Sequence, residues 1–161
     1  MYRFINWLTT SLALPLVPMF GVWLLKGIEK GSFSTDSING TDLLFASAMI
    51  CVISLIRLKK VANKDLLEGL TNIISFGLVV SMVLFAWSLV YLVQADITLT
   101  NYFSVASKAI TDGTDVKKAL GAIDPLSYNN KIETFRVIGF IVMAVVVPTS
   151  ILFNYKYDLD K

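Results

Sequence analysis

The chain has 161 residues, of which 55% are hydrophobic and only 16% are charged, and its formal net charge is +2. A soluble domain carries roughly 45–50% apolar and about 25% charged residues, so the composition excludes an ordinary soluble domain. The small net charge and the absence of any long basic run argue against nucleic acid as a direct partner.

The hydrophobic residues are gathered into blocks, and a helix needs about 20 mostly apolar residues to cross a bilayer. The first block, about 4–25, contains Pro15 and Pro18, which predict a kink. It is longer than the roughly 7–15 residues of a signal-peptide core, so we expect a true membrane span. The second block, about 42–58, is short, and Asn39 or Thr41 can cap it.

The third block, about 69–94, is the most apolar, and its Trp87 and Tyr91 are typical of an interfacial aromatic belt. The fourth block is about 135–155, with Arg136 at one end. The sequence therefore predicts one all-α domain over 1–161, a four-transmembrane-helix bundle with a short helical outer loop, 95–134, between spans three and four.

Orientation follows from the basic residues of the short connections. The connection between spans two and three holds four basic residues, which we call the basic link: Arg57, Lys59, Lys60 and Lys64. Cytoplasmic loops carry the excess of Lys and Arg, so the basic link is predicted to be cytoplasmic. An even number of spans then places both termini in the cytoplasm, and the localisation predicted is the inner (plasma) membrane of a bacterium.

The outer loop carries five acidic residues against five basic ones, counting Arg136 at its edge. Its apolar residues recur at helical spacing, and we predict a helix that Asp112 and Gly113 end and a second that Thr114 caps. These helices either fold onto the bundle as a lid or lie in the headgroup plane and sense the outer surface. The residues that would sense it are Val105, Ile110, Val116, Leu120 and Ile123.

The interiors of the predicted spans hold no ionisable residue of the kinds Asp, Glu, Lys, Arg or His. Enzymes and ion-coupled transporters of the membrane usually keep such groups for proton relays or counter-ions. The whole chain has no histidine and a single cysteine, Cys51. We therefore expect no enzymatic activity, no cofactor and no metal site.

Small residues recur at helical spacing in two spans. They are Gly77 and Ser81 in span three, and Ser47, Cys51 and Ser54 in span two. Small side chains let membrane helices approach closely, so these residues predict either packing within one bundle or contacts between the copies of a homo-oligomer.

Four spans with a larger second outer loop also describe tetraspanins, but residues 94–134 lack the cysteines which that family requires. The layout resembles instead the membrane component of the Kiwa anti-phage defence system. The resemblance covers the whole chain and consists of the basic link, the neutral loop 94–134 and the short tail 155–161. It implies an oligomeric membrane sensor that recruits a soluble, DNA-binding partner on the cytoplasmic side.

Three functions compete at this point. The first is a non-enzymatic sensor and anchor in the bilayer, which oligomerises and recruits a soluble cytoplasmic partner through the basic link, in anti-phage defence. The second is a pore-forming protein, either holin-like or a depolarising effector, which needs a polar helix face such as Ser75, Ser81 and Ser88. The third is an accessory subunit of a larger membrane complex.

Overall fold

The computed structural model describes residues 5, 8–31, 33, 38–58, 64–121, 123, 124 and 126–157. All regular structure in these ranges is helical, in agreement with the predicted all-α class. A π-helical segment, Leu8–Ala13, is followed by five α-helices: α1 (Leu14–Lys30), α2 (Gly40–Leu58), α3 (Lys64–Thr111), α4 (Val116–Leu120) and α5 (Asn129–Tyr157).

The first apolar block is irregular where its two prolines predict a kink. The π-helical segment stops directly before α1, in which Pro15 is the second residue. A proline ring collides with the carbonyl four residues earlier, and one additional residue in the preceding turn relieves that collision. Helix α1 ends at Gly31, whose positive φ of 64° is a left-handed conformation that glycine adopts without strain.

Helix α2 is the centre of the bundle. It packs against α3 and α5 and, less extensively, against α1. Its buried side chains include Leu43, Leu44 and Ile50, each 1% exposed or less. Towards the other end of α2, Cys51 and Leu58 join Leu70 and Ile74 of α3 in a buried apolar cluster. The core of the molecule therefore surrounds the shortest of the predicted spans.

Helix α3 is one continuous helix of 48 residues, about 72 Å long at 1.5 Å per residue. The predicted span ends near residue 94, but the helix continues from there to Thr111 without a break. The first helix predicted for the outer loop is thus the last part of α3 and not a separate element. No glycine or proline occurs between residues 78 and 112, so nothing in this sequence interrupts the helix.

The end of α3 is a Schellman turn. The amide of Thr114 donates to the Ala109 carbonyl at 2.9 Å, and the amide of Gly113, at φ 65°, donates to the Ile110 carbonyl. The predicted stop at Asp112 and Gly113 is therefore confirmed. The predicted cap is wrong by one residue: Asp115, not Thr114, accepts the amide hydrogens of Lys117 and Lys118 at the start of α4. The amide and the hydroxyl of Thr114 both donate to the Ala109 carbonyl at the end of α3.

Aromatic side chains hold the start of α5 against α3. The ring of Tyr91 lies 5.6 Å from that of Phe135 and 6.3 Å from that of Tyr128. The Lys131 ammonium sits 5.0 Å above the Tyr91 ring and 5.4 Å from the Tyr128 ring, a cation–π arrangement. We call these four residues the outer clasp.

Length and composition allow three of the described helices to cross a bilayer: Gly40–Leu58, Asp65–Thr111 and Asn129–Phe153. This is compatible with a multi-pass membrane protein. The described part of the first apolar block is divided between the π-helical segment and the 17 residues of α1.

Candidate functional site

A groove opens between α3 and α5, with residues of α2 behind it. Its volume is about 310 Å³. The walls are apolar and are formed by Ile73 and Phe76 of α3 and by Ile141 and Val145 of α5. Phe76 is 72% exposed and Val145 is 63% exposed, so the mouth of the groove faces the surroundings of the bundle.

Small residues form the floor of the groove. Cys51 and Ser54 of α2, Gly77 of α3 and Ser150 of α5 line it. Gly77 faces α2 so closely that a Cβ atom built on it would lie 3.6 Å from the Cys51 sulfur. The predicted packing residues Gly77, Cys51 and Ser54 thus meet one another inside a single chain, and they leave a hollow because none of them is large.

Hydroxyl groups join α2 to its neighbours within the apolar interior. Ser54 donates to the carbonyl of Ile50, so in its 3.0 Å contact with Ser150 the Ser150 hydroxyl is the donor. Near the opposite end of α2, Ser88 donates to Thr41 at 3.3 Å. These two pairs connect α2 to α5 and to α3, since polar side chains in a membrane bundle find their partners across helices.

The other two predicted packing residues are completely buried. Ser47 has 0% exposure and donates to the Leu43 carbonyl of its own helix, while Ser81 also has 0% exposure. Within the described residues, the Ser81 hydroxyl has no hydrogen-bond partner. Two of the three hydroxyl residues that a pore would use, Ser81 and Ser88, therefore lie between helices of one chain.

The basic link is only partly described. Lys59 and Lys60 lie outside the described residues, and Lys64 is the first residue of α3. Arg57 donates from its guanidinium to the Thr10 hydroxyl at 2.6 Å, which ties the end of α2 to the π-helical segment. One member of the predicted docking set thus also contributes to packing of the first block.

The predicted sensing residues occupy the C-terminal end of α3 and the segment that follows it. Val105, Val116, Leu120 and Ile123 are half-buried, and Ala109 between them is 4% exposed. Helix α4 packs on α3 in this region. Ile110 is different, because 70% of it is exposed. It lies on the helix face that also carries Phe103, at 63% exposure.

Two glycines that the sequence patterns do not single out make the closest helix crossing. A Cβ atom on Gly40 would collide with the Phe135 backbone carbonyl, and one on Gly139 would lie 3.0 Å from the Leu43 Cβ. Helix α2 therefore meets α5 through backbone contact just beneath the outer clasp. A search limited to spaced pairs of small residues misses this crossing, because each glycine stands alone in its own helix.

Among the residues that the structure describes, no three Asp, Glu, His or Cys side chains are grouped as a metal site would require. Comparison with known proteins finds no matching family model, no matching curated protein and no matching solved structure.

Proposed function

We propose that this chain is a four-span sensor and anchor in the bacterial inner membrane, without enzymatic activity, which oligomerises and recruits a soluble cytoplasmic partner. In this proposal the first apolar block is the fourth span, both termini and the basic link are cytoplasmic, and the turn between α3 and α4 is outside. The resemblance in layout to the Kiwa membrane component adds anti-phage defence as the setting.

The observation that carries the proposal is the continuity of α3. The helix begins at Lys64 of the basic link and ends at Thr111, about 26 Å beyond residue 94. The bilayer with its headgroups is about 40–45 Å thick, so a helix of about 72 Å extends well outside it. A displacement of the outer end is transmitted to the basic link by one hydrogen-bonded element, without a flexible joint.

The composition of the span interiors supports an interaction protein over a transporter or enzyme. The stretches 43–56, 70–93 and 137–153 contain only Cys51 and Tyr91 as titratable residues. Coupled transport and most membrane catalysis need carboxylates, amines or imidazoles at such depths. The chain has instead an apolar bundle, an end of α3 that extends beyond the bilayer, and the basic link.

Topology is tested by cysteine accessibility on a Cys51→Ser background. We expect Thr114→Cys to react with a membrane-impermeant maleimide in intact cells, because α3 carries residue 114 outside. Ala62→Cys is expected to react only after the membrane is opened. Labelling of position 62 in intact cells would overturn the assigned orientation.

Partner recruitment is tested by affinity recovery from native membranes with the double variant Lys59→Gln and Lys60→Gln. Charge pairs steer association and weaken with salt, so we expect less partner and a salt-sensitive wild type. Glutamine avoids the reversal of charge that could invert the topology, and insertion is checked with the residue 114 label. Equal recovery at all salt concentrations would restrict the basic link to setting the orientation.

A further inference from the structure

The groove between α3 and α5 lies near the end of the bundle that carries the basic link. The predicted third span begins near Leu70, and from there Ile73 lies about 5 Å and Val80 about 15 Å along the helix axis. Along α5 the lining residues Ser150 and Ile141 lie about 8 Å and 21 Å from the predicted end of the span near residue 155, so the groove begins in the half of the roughly 30 Å hydrocarbon layer next to the basic link and reaches past its middle. This holds whichever side of the membrane the link faces.

The length of the groove limits what can fill it. Along α5 it extends from Ile141 to Ser150, about 14 Å. A helix from a second copy crosses the whole bilayer and would need a matching surface about twice as long. A lipid acyl chain extends from one headgroup layer to about the middle of the bilayer, roughly 15 Å, which is close to the length of the groove.

Depth and chemistry also favour an acyl chain. A volume of about 310 Å³ is roughly twice that of an apolar cavity known to hold one benzene molecule. The floor hydroxyls of Ser54 and Ser150 bond to each other and to a backbone carbonyl, so they require nothing from an occupant. The walls made by Ile73, Phe76 and Val145 offer only dispersion contacts.

Charge indicates which lipid fits. Between residues 57 and 68 there are four basic and two acidic residues, Asp65 and Glu68, whereas the outer loop is balanced. A surplus of positive charge in the segment that joins α2 to α3 attracts a negatively charged phospholipid, at about 1 kcal/mol for each Lys or Arg near the membrane surface.

We propose that the groove binds an acyl chain of an anionic phospholipid whose headgroup lies at the end of the bundle where α2 ends at Leu58 and α3 begins at Lys64. The proposal rests on the membrane location proposed above and is independent of the soluble partner. An occupied groove adds apolar contacts between Ile73 and Phe76 of α3 and Ile141 and Val145 of α5. The lipid is thereby a structural component of the part of α3 that joins the basic link.

The test is native mass spectrometry of the full-length protein, freed of lipid in detergent and then given phosphatidylglycerol or phosphatidylcholine with identical palmitoyl and oleoyl chains. We expect the wild type to retain phosphatidylglycerol preferentially. Gly77→Leu, which fills the floor, and Val145→Trp, which fills the mouth from the exposed wall, are both expected to lose the bound lipid. Gly21→Leu is the matched control, because a side chain on this exposed glycine of α1 meets open space.

The second part of the mass spectrometry experiment removes positive charge from the basic link. The Lys59→Gln and Lys60→Gln double variant is expected to reduce the preference for phosphatidylglycerol by about fivefold for each lysine, with phosphatidylcholine unchanged. Equal binding of the two lipids by the wild type would overturn the role of the basic link.

Retention of lipid by both filled variants would overturn the groove as the site. If those variants instead alter the mass found by light scattering while lipid binding persists, the groove is a contact between copies and the proposal is wrong. Partner recovery is measured on the same samples. Unchanged partner recovery in the Lys59→Gln and Lys60→Gln double variant, together with lipid binding that is lost in the filled variants, contradicts the docking function alone, so the two failures are distinguishable.

Discussion

Helices α2 and α3 both have the length and composition of a membrane span, yet their surroundings differ greatly. In the most apolar window of each, 56% of α2 is buried inside the protein but only 17% of α3. The buried set of α2 includes Thr41, Ser47 and Ser54, whereas α3 presents Phe76, Val79 and Val83 outward. The more polar helix is therefore the central one.

The membrane location proposed above explains this difference through the solvent. In water, burial of apolar side chains drives packing, and the most apolar helix belongs inside. In lipid, the acyl chains are as apolar as leucine, so close packing and interhelical hydrogen bonds decide which face is covered. Small and hydroxyl-bearing residues serve both purposes, and α2 has them on several faces.

The largest expected loss of stability that tests this comparison of α2 with α3 comes from a cavity in α2. Leu44 is 0% exposed, and Leu44→Ala leaves a hollow that the surrounding helices fill only in part. We expect a loss of about 2 kcal/mol, the lower end for such changes, because transfer of leucine to lipid costs nothing. The same change at Leu89 of α3, 37% exposed, is expected to be nearly neutral. Unfolding in mixed detergent micelles measures both, and equal losses would break the comparison.

Next in size is the pair of glycine substitutions. Gly40→Ala places a methyl group against the Phe135 backbone, which cannot move away without displacing α5, and we expect about 1–3 kcal/mol of destabilisation. Gly69→Ala in α3 meets open space, and alanine favours a helix over glycine by about 1 kcal/mol. The two variants should shift the unfolding midpoint in opposite directions. A stabilising Gly40→Ala would show that α2 and α5 are not in backbone contact.

The smallest expected effect concerns the hydroxyl pair. Ser54→Ala and Ser150→Ala should each cost about 0.6 kcal/mol, and the double variant little more than either, because both remove the same bond. Ser81→Ala on α3 is the matched control, since its hydroxyl has no partner among the described residues. We expect that change to be neutral or slightly stabilising. Additive losses at Ser54 and Ser150 would mean that the two hydroxyls act independently.

By itself the sequence determined the class of the protein and the positions of its helices, because hydropathy, proline, glycine and helix stops act locally. It predicts apolar spans from about residues 42, 69 and 135, which lie within α2, α3 and α5, and the stop at Asp112 and Gly113. The prediction ended the third span near residue 94, although no glycine or proline between residues 78 and 112 interrupts the helix, which continues to Thr111.

Only the tertiary structure decided which helix is central, where backbones touch and where a groove remains. Small residues favour close approach without naming the partner, so Gly77 could meet Cys51 of its own chain or a second copy equally well. The lone glycines Gly40 and Gly139 gave no pattern at all, yet they form the tightest crossing. In a lipid solvent the inner and outer faces of a helix are almost equally apolar, so the order along the chain does not reveal which one is covered.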